Sequence, residues 1–505
     1  MQLTLKPWHL LGVIVATLVY RFWLVHHTGI TLFIDESYYW TWAQDFAWGY
    51  YSKPPLVAWL IGASTWLFGD GVLGVKALAM ALYGAQAWAV YLLGRSLFGE
   101  QPALMAGVLW ALSFTSGLLG LVVSTDALLL LFWTWTLWAT WKAYQQPLWR
   151  YFIAFGVCVG LGVLSKYTML AVGLVVPWIM WAVWRRDGRI GGRYWLGGLL
   201  ALATLVLVVL PHVLWNIQQG APTLRHTMEI TVIDTTTGGW PRLLEFWASQ
   251  WLMISPIPLA YLLYALAARR TRMPAAGAPR VGALREPVVF LLVPALGLIA
   301  VCSLQAYNAR AGMNWSAPAF ISLTLVFAAI AHARVRHATI GWRHPWTLAV
   351  ALNVVMVSAI VHAQDIARLL NQPLASKADV FVRMRGWDAL FELARPVAEA
   401  HRQLPLLGIG RTAMTHALYH WRAFGFTALA WNPNARRDDQ YMLTSNLADH
   451  LGQSMLFIDF APLPDAVASR FAQATPLGVF TVDVGPGRQL SLYVARLDGF
   501  KGYAD

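Results

Sequence analysis

Residues 31–59 read TLFIDESYYWTWAQDFAWGYYSKPPLVAW. Two adjacent acids, Asp35 and Glu36, follow an apolar segment and open a run crowded with tryptophan and tyrosine. The run is too apolar to be left in water and too broken by polar groups to cross a bilayer. Aromatic side chains of this kind favour the membrane–water boundary. The stretch therefore predicts an amphipathic interfacial helix beside the acids. A second is expected from Pro54 and Pro55 onward, because proline suits the first turn of a helix.

The composition supplies the membrane. Of 505 residues, 58% are hydrophobic and only 12% are charged, against roughly 25% charged in soluble domains. With 28 tryptophans, the chain reads as an integral membrane protein. A net charge of +13 would suit a nucleic-acid partner. The basic residues, however, fall in short loops and not around an aromatic base-reading motif, so no nucleic acid is expected. Cys158 and Cys302 lie in apolar runs without metal-ligand spacing, and read as buried thiols.

A spanning helix needs about 20 apolar residues, and on that measure the chain holds about eleven. They lie near 8–27, 72–94, 103–122, 126–143, 150–166, 168–184, 194–214, 248–268, 287–305, 316–333 and 346–363. The first follows Lys6 without a convincing cleavage site and is expected to be retained. The stretches RRDGRIGGR (185–193), RRTRMPAAGAPRVGALRE (269–286) and RVRHATIGWRHP (334–345) are rich in arginine. The positive-inside rule puts them in the cytoplasm. The intervening loops, and everything after about residue 364, then face the opposite side. For a bacterial inner membrane that side is the periplasm.

Residues 1–364 are thus expected to form the transmembrane unit, and 365–505 a periplasmic one. The second is richer in charge and alternates helix-like stretches such as 387–403 with β-like runs at 404–410, 426–432, 454–460, 478–484 and 489–497. That alternation predicts a small α/β domain. At about 140 residues it is large enough to fold alone.

The acids of the membrane half gather on the outer side. Besides Asp35 and Glu36, Asp126 stands in VVSTDALLLLFW, where the third span gives way to the fourth. Burying an acid near hydrocarbon costs about 2.5–3.5 kcal/mol even on the lenient insertion scale, so such a residue is a functional candidate by default. STD before an apolar run is also a good helix cap, and the two roles can coexist. Lys53 and Lys166 fall on the same side. Lys166, which breaks a long apolar stretch, could simply snorkel; together with the acids the two lysines suit a bound phosphate and a nucleophile that must lose a proton. Weaker candidates there are Arg225, His226 and Glu229 in the loop 215–247, for an acceptor or a metal, and Tyr307, Arg310 and Asn314 in the turn 305–318, Arg310 for a phosphate or a sugar acid. The stretch RRDDQY (436–441) reads as an exposed loop or as an acceptor contact.

Four stretches in this order, DESYYWTWAQDFAWGYYSKPPLVAWL, STDALLLLFW, GLGVLSKYTML and NWSAPAFISL, resemble the bacterial family 39-type glycosyltransferases. These are PMT/ArnT-like members of the GT-C membrane superfamily. The resemblance covers the membrane half, and extends into the tail around DDQYMLTSNLADHLGQSMLFI. It implies a polyprenyl-phosphate-sugar donor and transfer outside the cytoplasm to an envelope lipid or glycan. It also implies Asp35 as base, Asp126 as a residue holding acceptor or base, and Lys53 and Lys166 on the lipid phosphate. Glu36 is left as a catalytic or metal candidate. In the aminoarabinose transferase of this superfamily the residue before the Lys-Pro motif is acidic and linked to a metal. Here it is Ser52, which leaves a divalent metal cation open.

The chemistry agrees with the resemblance. A polyprenyl phosphate leaves without a proton donor but needs cations, and an acceptor hydroxyl needs a base. One displacement at the sugar C1 inverts its configuration. The rival readings are a protein O-glycosyltransferase of the same superfamily, a polytopic transporter, and a scaffold whose outer domain binds a partner. A transporter would place its charges at the midplane between two matching halves. A scaffold gives the shared face of acids and lysines no purpose.

Overall fold

A computed structural model describes residues 4–229, 239–268, 281–334 and 341–503. Parts of two arginine-rich stretches, 269–280 and 335–340, and residues 230–238 of the loop 215–247 lie outside the described residues.

The membrane half is helical. In chain order come α1 (Pro7–Thr28), α2 (Ile34–Ala43), α3 (Leu56–Phe68), α4 (Val72–Phe98), α5 (Glu100–Ala111), α6 (Phe114–Leu119), α7 (Thr125–Gln145) and α8 (Trp149–Val163). A 3-10 segment, Tyr167–Leu174, leads into α9 (Val175–Asp187). Then follow α10 (Gly192–Gln218), α11 (Pro222–Glu229), α12 (Trp240–Ile254), α13 (Pro256–Ala268), α14 (Val281–Asn308), α15 (Ala317–Arg334) and α16 (Pro345–Val361).

Every apolar run expected to span falls on helix, but several are not straight rods. The run 103–122 breaks where Ser113 caps α6, its side chain accepting from Ser116 N. The run 248–268 turns through 101° between α12 and α13. Ser255 takes a left-handed φ of 74° there, Pro256 starts the next helix, and Thr115 Oγ1 donates to the Met253 carbonyl. Five described helices are long and apolar enough to cross a bilayer alone, or seven if each bent pair counts as one span.

Small residues set the closest packing. A Cβ on Gly156 of α8 would lie 1.9 Å from Thr204 Oγ1 of α10, and one on Gly160 2.8 Å from Val208. This small-xxx-small stripe lets two helix backbones meet where no hydrophobic effect drives them together. The opposite face of α10 exposes Leu196, Leu199, Leu202 and Leu207, an apolar surface suited to lipid tails.

The tail holds α17 (Ala363–Leu369), α18 (Trp387–Leu393), α19 (Arg395–Ala400), β1 (Leu406–Gly408), α20 (Arg411–His420), β2 (Ala428–Ala430), α21 (Gln440–Thr444), β3 (Met455–Asp459), α22 (Asp465–Ala468), β4 (Phe471–Asp483) and β5 (Gln489–Phe500). The strands form one sheet in the order β2-β1-β3-β5-β4. β1 runs parallel to β2 and β3, and β5 antiparallel to β3 and β4. Each expected β-like run supplies a strand.

Alternation along these strands sends side chains to two cores. Leu407, Phe457 and Leu497 join Phe471 and Phe500 on one face. On the other face Leu406, Leu456 and Ile458 pack with α18 and α20, and this cluster continues into Tyr38, Tyr39, Trp40, Trp42 and Tyr50 of the first loop. The aromatic helix α2 therefore does not lie open at a boundary. Its aromatic side chains are buried between α20 and α3, because a domain whose second core face is incomplete closes over them.

Candidate active site

Three ion pairs organise the acids, and they differ in burial. Glu36 is wholly enclosed. Lys76 Nζ of α4 lies 2.5 Å from each of its oxygens. Phe33 N and Val123 N each donate to it at 2.7 Å. The same ammonium donates to the Leu121 carbonyl at 3.0 Å. Buried charges survive only with partners of this kind. Glu36 therefore fastens the first loop to α4 and to the turn before α7. No surface of it is left to meet a substrate or a metal, contrary to the expectation for a catalytic or metal role.

Asp126 opens α7, with Ser124 Oγ accepting from its N–H at 3.2 Å. The cap of α7 is therefore Ser124 and not Asp126, whose carboxylate is left to other partners. That carboxylate is buried. Lys166 Nζ lies 2.8 Å from Oδ1, and Asn314 Nδ2 donates to Oδ2 at 2.5 Å. Lys166 is delivered by the break between α8 and the 3-10 segment, where Ser165 Oγ donates to the Thr125 carbonyl at 2.7 Å.

Asp35 is the accessible acid. Its side chain is 40% exposed, and its ion-pair partner is Arg411 Nη2 at 3.2 Å. Arg411 is the first residue of α20, at the C-terminal end of β1. Its guanidinium lies 4.9 Å from the centre of the Tyr38 ring. Tyr38 OH in turn accepts from Gln440 N at 2.5 Å.

Lys53 brings the groups together. Burial pushes its ammonium below the ordinary lysine range, and neighbouring Lys166 and Arg411 push the same way, while Asp35 and Asp126 oppose them. No carboxylate among the described residues lies within ion-pair distance of it. Leu56 N donates to the Leu164 carbonyl at 3.0 Å, which ties the Lys-Pro-Pro turn to the segment that carries Lys166.

The outer wall comes from α11 and the tail. The His226 ring lies 5.2 Å from the Tyr51 ring, tilted by 53° to it. Burial first, then Lys53 and Arg411, hold its imidazole down at about 4. Tyr51 N donates to Gln440 Oε1 at 2.8 Å, so the 436–441 loop does reach the first loop. Asp439 Oδ1 caps α21 through Met442 N at 2.9 Å, and burial raises its carboxyl above the usual range. Glu229 and Arg225 are exposed. Glu229 is near enough to act on Tyr51.

The turn 305–318 divides. Asn314 enters the site. Arg310 and Tyr307 are exposed; Tyr307 packs 5.6 Å from the Trp240 ring and its carbonyl accepts from Gly239 N. Ser52 is buried. Among the described residues no group of three or more His, Cys, Asp or Glu surrounds it to hold a metal, and the one such group lies elsewhere. The site is therefore a half-open carboxylate with a guanidinium beside it, a buried carboxylate held by lysine and amide, and a desolvated ammonium between them.

Residues 52–215 match the family model described as dolichyl-phosphate-mannose-protein mannosyltransferase. The chain is 29% identical over 318 residues to the lipid A galacturonosyltransferase RgtD of Rhizobium johnstonii, covering 62% of this chain and 63% of that one. It is 30% identical over 178 residues to the undecaprenyl phosphate-alpha-4-amino-4-deoxy-L-arabinose arabinosyl transferase 1 of Pseudomonas fluorescens, covering 33% of this chain and 29% of the relative. In each case the match spans less than two thirds of the relative's length. The crystal structure of ArnT from Cupriavidus metallidurans bound to undecaprenyl phosphate aligns over 97% of this chain and 98% of that one, with a TM-score of 0.60 at 16% identity. The archaeal oligosaccharyltransferase AglB from Archaeoglobus fulgidus, in complex with an inhibitory peptide and a dolichol-phosphate, aligns over 82% of this chain and 64% of that one, with a TM-score of 0.52. The order of the four sequence stretches, the helical frame with its attached sheet, and these matches agree: the chain has the GT-C membrane fold and is similar to the PMT/ArnT-like glycosyltransferases.

Proposed function

We propose that the protein transfers a sugar from a polyprenyl-phosphate-sugar donor to a lipid acceptor of the lipid A kind, on the periplasmic side of the inner membrane. The single observation that carries the reading is the unequal state of the three acids. Glu36 is sealed and Asp126 is saturated by Lys166 and Asn314. Asp35 keeps two fifths of its side chain in solvent, beside an ammonium that has no carboxylate partner among the described residues.

In this mechanism the acceptor hydroxyl oxygen attacks the sugar C1 and the C1–O bond to phosphate breaks. Asp35 takes the hydroxyl proton. The donor phosphate changes from a diester with one negative charge to a monoester with up to two. Lys53 and Lys166 meet that developing charge, which is the interaction that lowers a barrier and not merely a binding constant. Asp126 keeps Lys166 aimed. Arg411 holds Asp35 in line from the tail domain. The resulting configuration at C1 is inverted.

The lipid acceptor is supported by the names of two relatives, a lipid A galacturonosyltransferase and a transferase that uses undecaprenyl phosphate-linked aminoarabinose. The periplasmic side is supported by the arginine-rich stretches at the opposite ends of the helices. A protein acceptor is the second reading, favoured by the matching family model. The test is purified protein in lipid with undecaprenyl-phosphate-linked sugars, lipid A and unfolded envelope protein together. A lipid gaining one sugar mass supports the first reading, and a protein gaining it supports the second. A donor pool that stays intact with every acceptor overturns both.

A further inference from the structure

Away from the acids, a second cluster joins three elements near the outer ends of the first and last apolar helices. His27 stands in the last turn of α1, His362 at the junction of α16 and α17, and Asp365 in the first turn of α17. One ligand atom from each lies within 4.8 Å of the other two. Asp365 Oδ2 is 3.1 Å from His27 Nε2 and 3.0 Å from His362 Nδ1. We propose that His27, His362 and Asp365 form a structural site for a divalent transition cation, zinc by preference, that clips the first apolar helix to the start of the tail domain.

The donor set suits zinc, which takes imidazole nitrogen and carboxylate oxygen at about 2.0–2.2 Å in a tetrahedron. Ligand atoms in such a tetrahedron lie roughly 3.3 Å apart, by the geometry of those bond lengths. The two observed separations from Asp365 need to open by only a few tenths of an ångström. A water fills the fourth position.

The surroundings orient the ligands. Tyr20 OH lies 2.8 Å from His362 Nε2. With Nε2–H donating to that hydroxyl, Nδ1 is left with its lone pair facing Asp365. Metal-bound imidazoles use their second nitrogen in this way. Trp23 stacks on the His27 ring at 4.6 Å and 12°, which restricts that ring to one plane. Arg368 Nη1 reaches the other Asp365 oxygen at 3.4 Å and leaves Oδ2 to the cation. Arg368 is 75% exposed, so solvent screens its charge.

The position gives the clip a purpose. The chain bends by 70° between α16 and α17, at His362 itself. Beyond α17, Thr31 N and Oγ1 both donate to the Met384 carbonyl, and Arg385 donates to the Thr28 carbonyl. The end of α1 is thus already tied to the tail by hydrogen bonds. A cation at the bend would lock the same junction, and with it the seat of α20 against α2.

The test uses the full chain, purified in detergent without a polyhistidine tag, stripped with chelator and titrated with zinc. One equivalent is expected to bind, with a rise of several degrees in the unfolding temperature. Cobalt in its place should give the absorption bands of a tetrahedral ion. His27→Gln and Asp365→Asn should lose both the bound equivalent and the temperature rise. His27 is half exposed, so its variant folds even if the Asp365 variant does not. A wild-type chain that binds no zinc at micromolar concentration overturns the proposal. So does binding that His27→Gln and Asp365→Asn leave unchanged. None of these readouts depends on sugar transfer, so they stand apart from the activity proposed above.

Discussion

Asp35 and its neighbours carry predictions at the level of single residues. Asp35→Asn keeps the size of the side chain and removes the proposed base. Transfer is expected to fall by about 10²–10⁴-fold, the usual worth of a positioned base. Donor binding should persist. Radiolabelled donor binding beside product formation measures both, and near-normal turnover by the variant sinks the assignment. Arg411→Ala frees the Asp35 carboxylate to rotate. The exposed pair is worth only about 0–1 kcal/mol in stability, so the chain stays folded while kcat drops about tenfold through lost orientation. A raised donor KM with unchanged kcat would instead make Arg411 a phosphate ligand.

Lys53 adds a pH dependence with a definite sign. Burial and Lys166 depress its ammonium, so it loses charge at a lower pH than an ordinary lysine. Phosphate binding needs the charged form. Donor KM should therefore rise with increasing pH in the alkaline range, below the ordinary lysine value of 10.5. Lys53→Arg, which stays charged, should flatten that rise; an equally steep rise in this variant removes Lys53 from the phosphate. His226 is uncharged above about 5, given its depressed value of about 4, and contributes no limb near neutrality.

At the scale of elements, the decisive contact is the seam between α2 and α4. Glu36→Gln leaves Lys76 buried without its counter-charge. Breaking one partner of such a pair costs about 3–5 kcal/mol. The expected result is a large fall in the unfolding temperature in detergent, and partial recovery in Glu36→Gln with Lys76→Met, which removes the orphaned charge. Loss of transfer with an unaltered unfolding temperature would return Glu36 to the chemistry. The aromatic face of α2 tells the same story. Trp42 and Tyr50 stack at 4.9 Å and 5°, while Tyr419 OH of α20 donates to the Asp70 carbonyl at 3.0 Å. The tail thus acts as a lid packed onto the first loop.

At the scale of the molecule, the proposed orientation places the sheet and the site on one side of the bilayer and the arginine-rich stretches on the other. Val479 of β4 is 56% exposed, and Trp342 lies beside one arginine-rich stretch at 71%. With Cys158 and Cys302 replaced by alanine, Val479→Cys should react with an impermeant maleimide in intact spheroplasts. Trp342→Cys should react only after lysis. The reverse pattern turns the molecule over and removes the periplasmic reading.

The amino-acid sequence by itself determined the helices, the strands of the tail and the acids and lysines worth watching. Hydropathy, charge in loops and helix caps are local properties, and local spacing suffices to read them. The family resemblance named Asp35 as base, but local spacing does not separate it from Glu36, because adjacent residues on a helix point about 100° apart and the sequence does not say which direction is solvent. Lys76 was a legible signal, a lysine in an apolar run that must find an acid. Its partner stands 40 residues away, and only packing of α2 on α4 names it. Arg411 offered a fainter one, a basic residue between a short strand and a helix. Its meeting with Asp35 spans 376 residues and exists only because the tail closes over the aromatic helix. Tertiary structure alone decided which acid is sealed, which is clamped and which is left open, since burial and charge pairing depend on contacts between distant segments.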